Sequence, residues 1–314
     1  MSIEASRDRN LYFGVSAINF VVKSFLSGRN DPNISKYSSS DTFSVVRLHT
    51  YARDNALEVA TGFFITGERE GEIRHALVTN WHVLAGRNPL QPTLTRHRSG
   101  AVPDSVRFTV HRLESEPGIV TIEEVTVDLY DSAGHATWSQ HPSRGRLVDV
   151  GILEFGAEHV AGFNVQGVNA IASANDMAVR LGSQAFIVGY PHGFGGFVNT
   201  PIWKRGSIAS EPHVGEEGAN DRVLVDATTR EGMSGSPVLL CADTHYLTEG
   251  GQVMQAPGAM RWIGLYSSRP SFEVMGDTGP AQVTAEIAYF IKTGPIVETL
   301  MNRTLAADRG VVPD

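Results

Sequence analysis

Gly232-Met233-Ser234-Gly235-Ser236-Pro237 places one hydroxyl between two glycines at the start of an apolar run, and what that hydroxyl needs to react sets what the rest of the chain must supply. A serine hydroxyl is a weak nucleophile at neutral pH. It requires a base within hydrogen-bond reach, and donors for the oxyanion that forms when it attacks a carbonyl. Gly232 and Gly235 permit a tight turn in which the N–H groups of Gly232 and Ser234 point into one pocket. Taken alone, the string also fits an ordinary turn. Two upstream segments supply the partners, Thr79-Asn80-Trp81-His82-Val83 and Val148-Asp149-Val150-Gly151-Ile152-Leu153. His82 follows a strand-like run, so a loop can hold its imidazole at a sheet edge, although one histidine among 11 also fits a structural role. Asp149 stands between two valines, where an ionised carboxylate is costly unless paired. Pairing with His82 would fix the imidazole's tautomer; the alternative is a turn-capping aspartate, and Asp128 and Asp131 compete for the same role.

Around these segments the chain reads as short β-branched and aromatic runs separated by Gly, Pro, Asp and Asn clusters. Six candidate strands, 43–49, 58–66, 73–80, 105–112, 118–130 and 148–155, fill the first half. Six more, 179–190, 201–210, 222–228, 236–240, 261–267 and 283–291, follow a link from Gly156 to Ala178. Such regularity without βαβ alternation predicts an all-β barrel or sandwich. Thr293-Gly294-Pro295 then starts a helix with Ile296, Val297, Leu300, Met301 and Leu305 on one face. Residues 1–42 form an N-terminal extension, whose apolar set from Leu11 to Phe25 predicts a helix packed on the body, a docking element being the alternative.

A formal charge of −8 and a pI near 5.8 argue against a nucleic-acid-binding surface, and Arg96-His97-Arg98 reads as a solvated loop. Cys241 is the single cysteine, so an intrachain disulfide is excluded and a core role expected. Gly14 to Val22 lacks the flanks of a secretory signal, and no run reaches the roughly 18 apolar residues of a membrane span. The expectation is a soluble cytoplasmic protein with no membrane partner. No histidine pair has the neighbours of a zinc site, and the glycine-rich Gly189 to Phe197 lacks phosphate-loop spacing, so neither metal nor cofactor is implied. That segment reads as a mobile turn, from which His192 can reach a cleft.

The chain order His82, Asp149, Ser234 is the one found in peptidases built on two β-barrels. Leu-Val-Thr-Asn-x-His-Val, Asp149-x-Gly-Ile-Leu and Gly-x-Ser-Gly-Ser-Pro together resemble the chymotrypsin-like (trypsin-fold) serine peptidases, in particular the bacterial trypsin-like type. The resemblance covers residues 43–305. It implies two six-stranded antiparallel β-barrels, 43–156 carrying His82 and Asp149 and 157–292 carrying Ser234, followed by a C-terminal helix and tail over 293–314. It further implies Ser234 as nucleophile, His82 as general base and then acid, Asp149 as orienter, and an oxyanion hole from the N–H groups of Gly232 and Ser234. The expected function is hydrolysis of peptide bonds in a protein or peptide substrate through an acyl-enzyme.

This chain departs from the digestive members in three ways. Met233 stands where they carry the aspartate that pairs with a new N-terminus, so activation by that route is expected to be absent. Val83 follows His82 in place of a disulfide cysteine. Asn80-Trp81 replaces two small residues, with Trp81 expected as a packing anchor. By analogy Thr228 lies at the base of the pocket for the residue preceding the scissile bond, and Gly264 to Ser268, including Tyr266 and Ser267, forms one wall. The uncharged Thr228 argues against Lys or Arg selection. Arg230, Arg269 and Thr229 make an acidic residue conceivable, but a solvated-arginine reading is favoured. Control could come from narrow specificity, an incompletely formed oxyanion hole, or an activating or regulatory protein; a peptide-binding module after residue 305 is not expected. The rival reading is a catalytically silent peptidase fold used for binding. An esterase shares the triad, but the usual scaffold of that class carries it in another order.

Overall fold

The computed structural model describes residues 13–23, 44–113, 119–160, 166–196, 199–214, 221–276, 279–284 and 286–312. The expected loop over residues 27–40 lies outside them. The first half comprises β1 (Phe13–Lys23), β2 (Val45–Ala52), β3 (Asn55–Arg69), β4 (Glu72–Thr79), the one-turn helix α1 (Trp81–Ala85), β5 (Ser105–Leu113), β6 (Ile119–Asp128), β7 (Ser139–Gln140) and β8 (Gly151–Phe155). Two short helices, α2 (Ala157–Val160) and α3 (Val168–Ile171), make the link. The second half continues through β9 (Gln184–Gly189), β10 (Ile202–Ile208), β11 (Arg222–Asp226), β12 (Pro237–Cys241), β13 (His245–Leu247), β14 (Val253–Gln255) and β15 (Met260–Ser268). It closes with β16 (Ser271–Gly276), β17 (Gly279–Thr284), β18 (Ile287–Lys292), helix α4 (Thr293–Asn302) and β19 (Thr304–Leu305).

In the second half the order β10-β11-β18-β15-β12-β9 closes into a six-stranded barrel, built from the six expected segments. The first half differs from the expected closed barrel. Its strands form a nine-stranded sheet of order β1-β6-β5-β2-β3-β4-β8-β7-β19. β1 occupies the free edge of β6, and β7 and β19 extend from β8, so the two edges that closure would join are already paired with other strands. The sheet nevertheless rolls over a common core. Phe108 on β5 and Phe155 on β8, four places apart in the order, stack edge to face at 6.3 Å between centroids, with Phe64 touching both.

The N-terminal segment is a strand, not the expected helix. Antiparallel to β6 from Phe13↔Val127 to Lys23↔Ile119, it satisfies backbone groups that β6 would otherwise present at an open edge. The expected strand over 283–291 is divided between β17 and β18, and β16–β17 and β13–β14 are added hairpins. In α4 the buried residues are Pro295, Ile296, Thr299 and Leu300; Val297 and Met301, expected on the same face, are largely exposed, and Leu305 belongs to β19.

Strand β3 shows how the halves are joined. Ala60–Ile65 are all buried because both faces of the strand are covered: Ala60 and Phe64 face the first core, while Phe63 and Ile65 pack against the barrel and α4. The same alternation sends Leu77 and Leu153 inward and Val78 and Ile152 toward the barrel. Across this seam Phe63 meets Trp262 edge to face at 5.6 Å. Each fully buried side chain of this size contributes roughly 1.5–3 kcal/mol. The β3–β4 hairpin is set by Glu70-Gly71, both at positive φ (56° and 80°), as a two-residue turn of matching twist requires.

Candidate active site

His82 lies in α1, immediately beyond β4, with Trp81, Val83 and Leu84 anchoring the turn in the first core. Trp81 packs edge to face on Trp138 and donates its indole N–H to Gln140, so packing and one hydrogen bond hold this loop without a disulfide. Asp149 follows a 3₁₀ turn over Arg146–Val148 and adopts the left-handed conformation, φ 64° and ψ 38°. Aspartate tolerates that region better than most residues. Its main-chain carbonyl accepts a hydrogen bond from Asn80 Nδ2 at 3.1 Å, which ties the two segments together.

The Asp149 carboxylate is buried and fully engaged. It accepts the His82 main-chain N–H at 3.1 Å and sits 2.9 and 3.0 Å from His82 Nδ1 through its two oxygens. Ser267 Oγ donates to Oδ2 at 2.6 Å. Burial pushes the carboxyl up, but the neighbouring His82, its hydrogen bonds and the Ser267 hydroxyl outweigh burial and hold it below the ordinary carboxylate range. A carboxylate on Nδ1 fixes that nitrogen as the protonated one and leaves Nε2 as the acceptor. Nε2 is buried and has no hydrogen-bond partner.

Ser234 occupies the turn before β12. Gly232 and Gly235 have φ of 87° and 88°, and a Cβ on Gly235 would lie 2.0 Å from the Thr61 carbonyl oxygen, so no side chain fits there. Thr61 of β3 grips the turn from the other half: its N–H donates to the Ser234 carbonyl and its hydroxyl to the Gly232 carbonyl, each at 2.8 Å. The Glu231 carbonyl accepts the His192 N–H at 2.6 Å. Because a trans peptide points its C=O and N–H in opposite directions, the Gly232 N–H is turned away from the His192 loop. Among the described residues neither the Gly232 nor the Ser234 N–H donates to a protein acceptor. Ser234 Oγ donates to the Ser267 carbonyl at 3.3 Å, a long bond for a hydroxyl. Met233 is wholly buried in the barrel core.

His82, Ser234, His192, Glu231, Tyr266 and Arg269 line one cleft of about 610 Å³ between the halves. The residues expected to form the substrate pocket are dispersed. Tyr266 and Ser267 lie at the cleft; Thr228 is exposed outside its lining, and Gly264 is buried in β15, where an added Cβ would meet the Ile291 carbonyl. Thr229, adjacent to Thr228, is buried with its hydroxyl 2.9 Å from the Tyr266 hydroxyl. Thr61 was not singled out from sequence, and Asn80 only as a replacement for a small residue, since their roles depend on long-range contacts that leave no local pattern.

The chain belongs to the trypsin-like peptidases: the family model of the trypsin-like peptidase domain matches residues 60–245, which contain His82, Asp149 and Ser234. A comparison with curated proteins returns no match. Among solved structures, the HtrA-type protease AlgW with tripeptide is 17% identical, with a TM-score of 0.39 over 82% of this chain, which spans 59% of that protease's length. The thermostable serine protease AL20, from an extremophilic microorganism, is 12% identical with a TM-score of 0.41, over 83% of this chain and 97% of the other.

Proposed function

We propose that this chain is a serine endopeptidase acting through His82, Asp149 and Ser234. The observation that carries the proposal is the buried Asp149–His82 pair with a free Nε2, sharing a cleft with Ser234. In the proposed cycle Nε2 takes the Ser234 proton as Oγ attacks the substrate carbonyl, and Asp149 stabilises the imidazolium. The Gly232 and Ser234 N–H groups receive the oxyanion. Collapse expels the amine with the proton from His82, and water, activated by the same ring, hydrolyses the acyl-enzyme. The first sheet, rolled over its own core, plays the part of the first barrel.

The Glu231 carbonyl, engaged by His192, supports an oxyanion hole already open in the free enzyme, so no partner is needed to flip that peptide. The long Ser234–Ser267 bond is the specific observation on the side of the binding-protein reading, since it turns the hydroxyl toward a carbonyl and away from catalysis. Rotation about χ1 would turn the hydroxyl from that carbonyl toward His82, and catalytic hydrogen bonds are commonly long or unformed in the free enzyme and tighten only with substrate bound. We further propose that a chain with one cysteine, Cys241, suits a reducing compartment. Reaction with a fluorophosphonate tests the proposal: the wild type is expected to form one adduct and to cleave an unfolded protein, and Ser234→Ala to do neither while retaining its fold.

A further inference from the structure

We infer that the cleft selects a peptide whose residue at the attacked carbonyl carries an acidic side chain, with Arg269 as the specificity-determining residue; this rests on the serine-peptidase reading above. The wall beyond Ser267 ends in Arg269, which lines the cleft and is only partly exposed. Among the described residues Arg269 has no carboxylate partner. The other cleft arginines are compensated: Arg96 pairs with Glu58 at 3.1 Å, and Arg230 donates to the Thr229 carbonyl and lies 4.0 Å from Glu286. A guanidinium in the cleft with no carboxylate of its own is available to pair with an anionic side chain of a substrate.

The adjoining floor has matching chemistry. Tyr266, which lines the cleft, shares one hydrogen bond of 2.9 Å with the buried Thr229 hydroxyl, so with Thr229 as donor the phenol keeps a proton to give. Burial raises the Tyr266 phenol above its ordinary value, with Thr229 and the Arg269 charge acting against that rise. The phenol is a neutral donor at physiological pH, and Arg269 lies close enough to act on it electrostatically. A carboxylate offers up to four acceptor sites and can use both the guanidinium and the spare hydroxyl proton. An apolar side chain would leave that proton unused, and a lysine would face a cation. Glu231 also lines the cleft, but it is exposed, and among the described residues its carboxylate makes no ion pair with Arg269.

The test uses the full chain and fluorogenic peptides identical except for Glu, Gln, Leu or Lys at the position before the cleaved bond, with fluorophosphonate labelling to count active sites in each preparation. Losing a charge-assisted hydrogen bond predicts a wild-type kcat/KM for Glu about tenfold to hundredfold above that for Gln. In Arg269→Gln that ratio should collapse toward one, and in Arg269→Glu the preference should pass to Lys. A labelled, active enzyme that prefers Leu or Lys, or whose Glu-to-Gln ratio is unmoved by Arg269→Gln, overturns the inference and leaves the peptidase reading standing. A chain that neither labels nor cleaves overturns both.

Discussion

Asp149 holds the site together more than any other residue, because the His82 main-chain N–H, His82 Nδ1 and the Ser267 hydroxyl all converge on one buried carboxylate. Replacing it with asparagine keeps the shape but offers an N–H₂ where His82 Nδ1 needs an acceptor, which favours the wrong tautomer. The expected fall in kcat is about ten-thousandfold, with secondary structure by circular dichroism unchanged. The same carboxylate leaves a signature in stability. Its native pKa lies below the ordinary value, so as pH falls the unfolded chain binds this proton first. Its contribution is therefore complete above the unfolded value of about 3.9 and is lost as pH drops through the lower native value. Urea unfolding followed from about pH 6 to about pH 2 should show this loss in the wild type and a shallower one in Asp149→Asn. A common slope for both would contradict the assignment.

At the scale of elements, the Ser234 turn is fixed by contacts that need no charge from a processed N-terminus. Met233 is packed in the barrel core, and Thr61 and Tyr266 hold the turn's main chain. A chain beginning just before residue 43 should consequently be no more active than the full length, and it should be less soluble because it bares the edge of β6. A large gain in turnover on truncation would refute this. The strands of the closed barrel were legible in the sequence because buried, β-branched runs between turn residues have few other uses. β1 was not legible. Its apolar residues fit a helical face as well as a strand, and only the vacant edge of β6, invisible locally, decides between them. The α4 face differs from the expected one for a related reason: the neighbours that bury Thr299 and leave Val297 uncovered lie far away in sequence.

Over the whole molecule, the site exists only where the halves meet. His82 and Asp149 come from the rolled sheet, Ser234 and Ser267 from the barrel, and the seam around Phe63 and Trp262 sets their separation. Trp262→Ala should cost roughly 3–5 kcal/mol, read as a lower urea midpoint, with activity lost across the same transition. The three catalytic candidates were legible from their types and order, but the closure of only one barrel was not, because it depends on which strands claim the edges of the first sheet. The substrate pocket was the least legible part. Thr228 and Thr229 are adjacent, and only the fold reveals which of them meets Tyr266. The central claim is that these residues make a working nucleophile, and intact-mass analysis after fluorophosphonate treatment tests it most directly. The account predicts one adduct per chain, mapped to Ser234, lost in Ser234→Ala and strongly slowed in His82→Ala; an unreactive wild type, or an adduct that persists in Ser234→Ala, would contradict it.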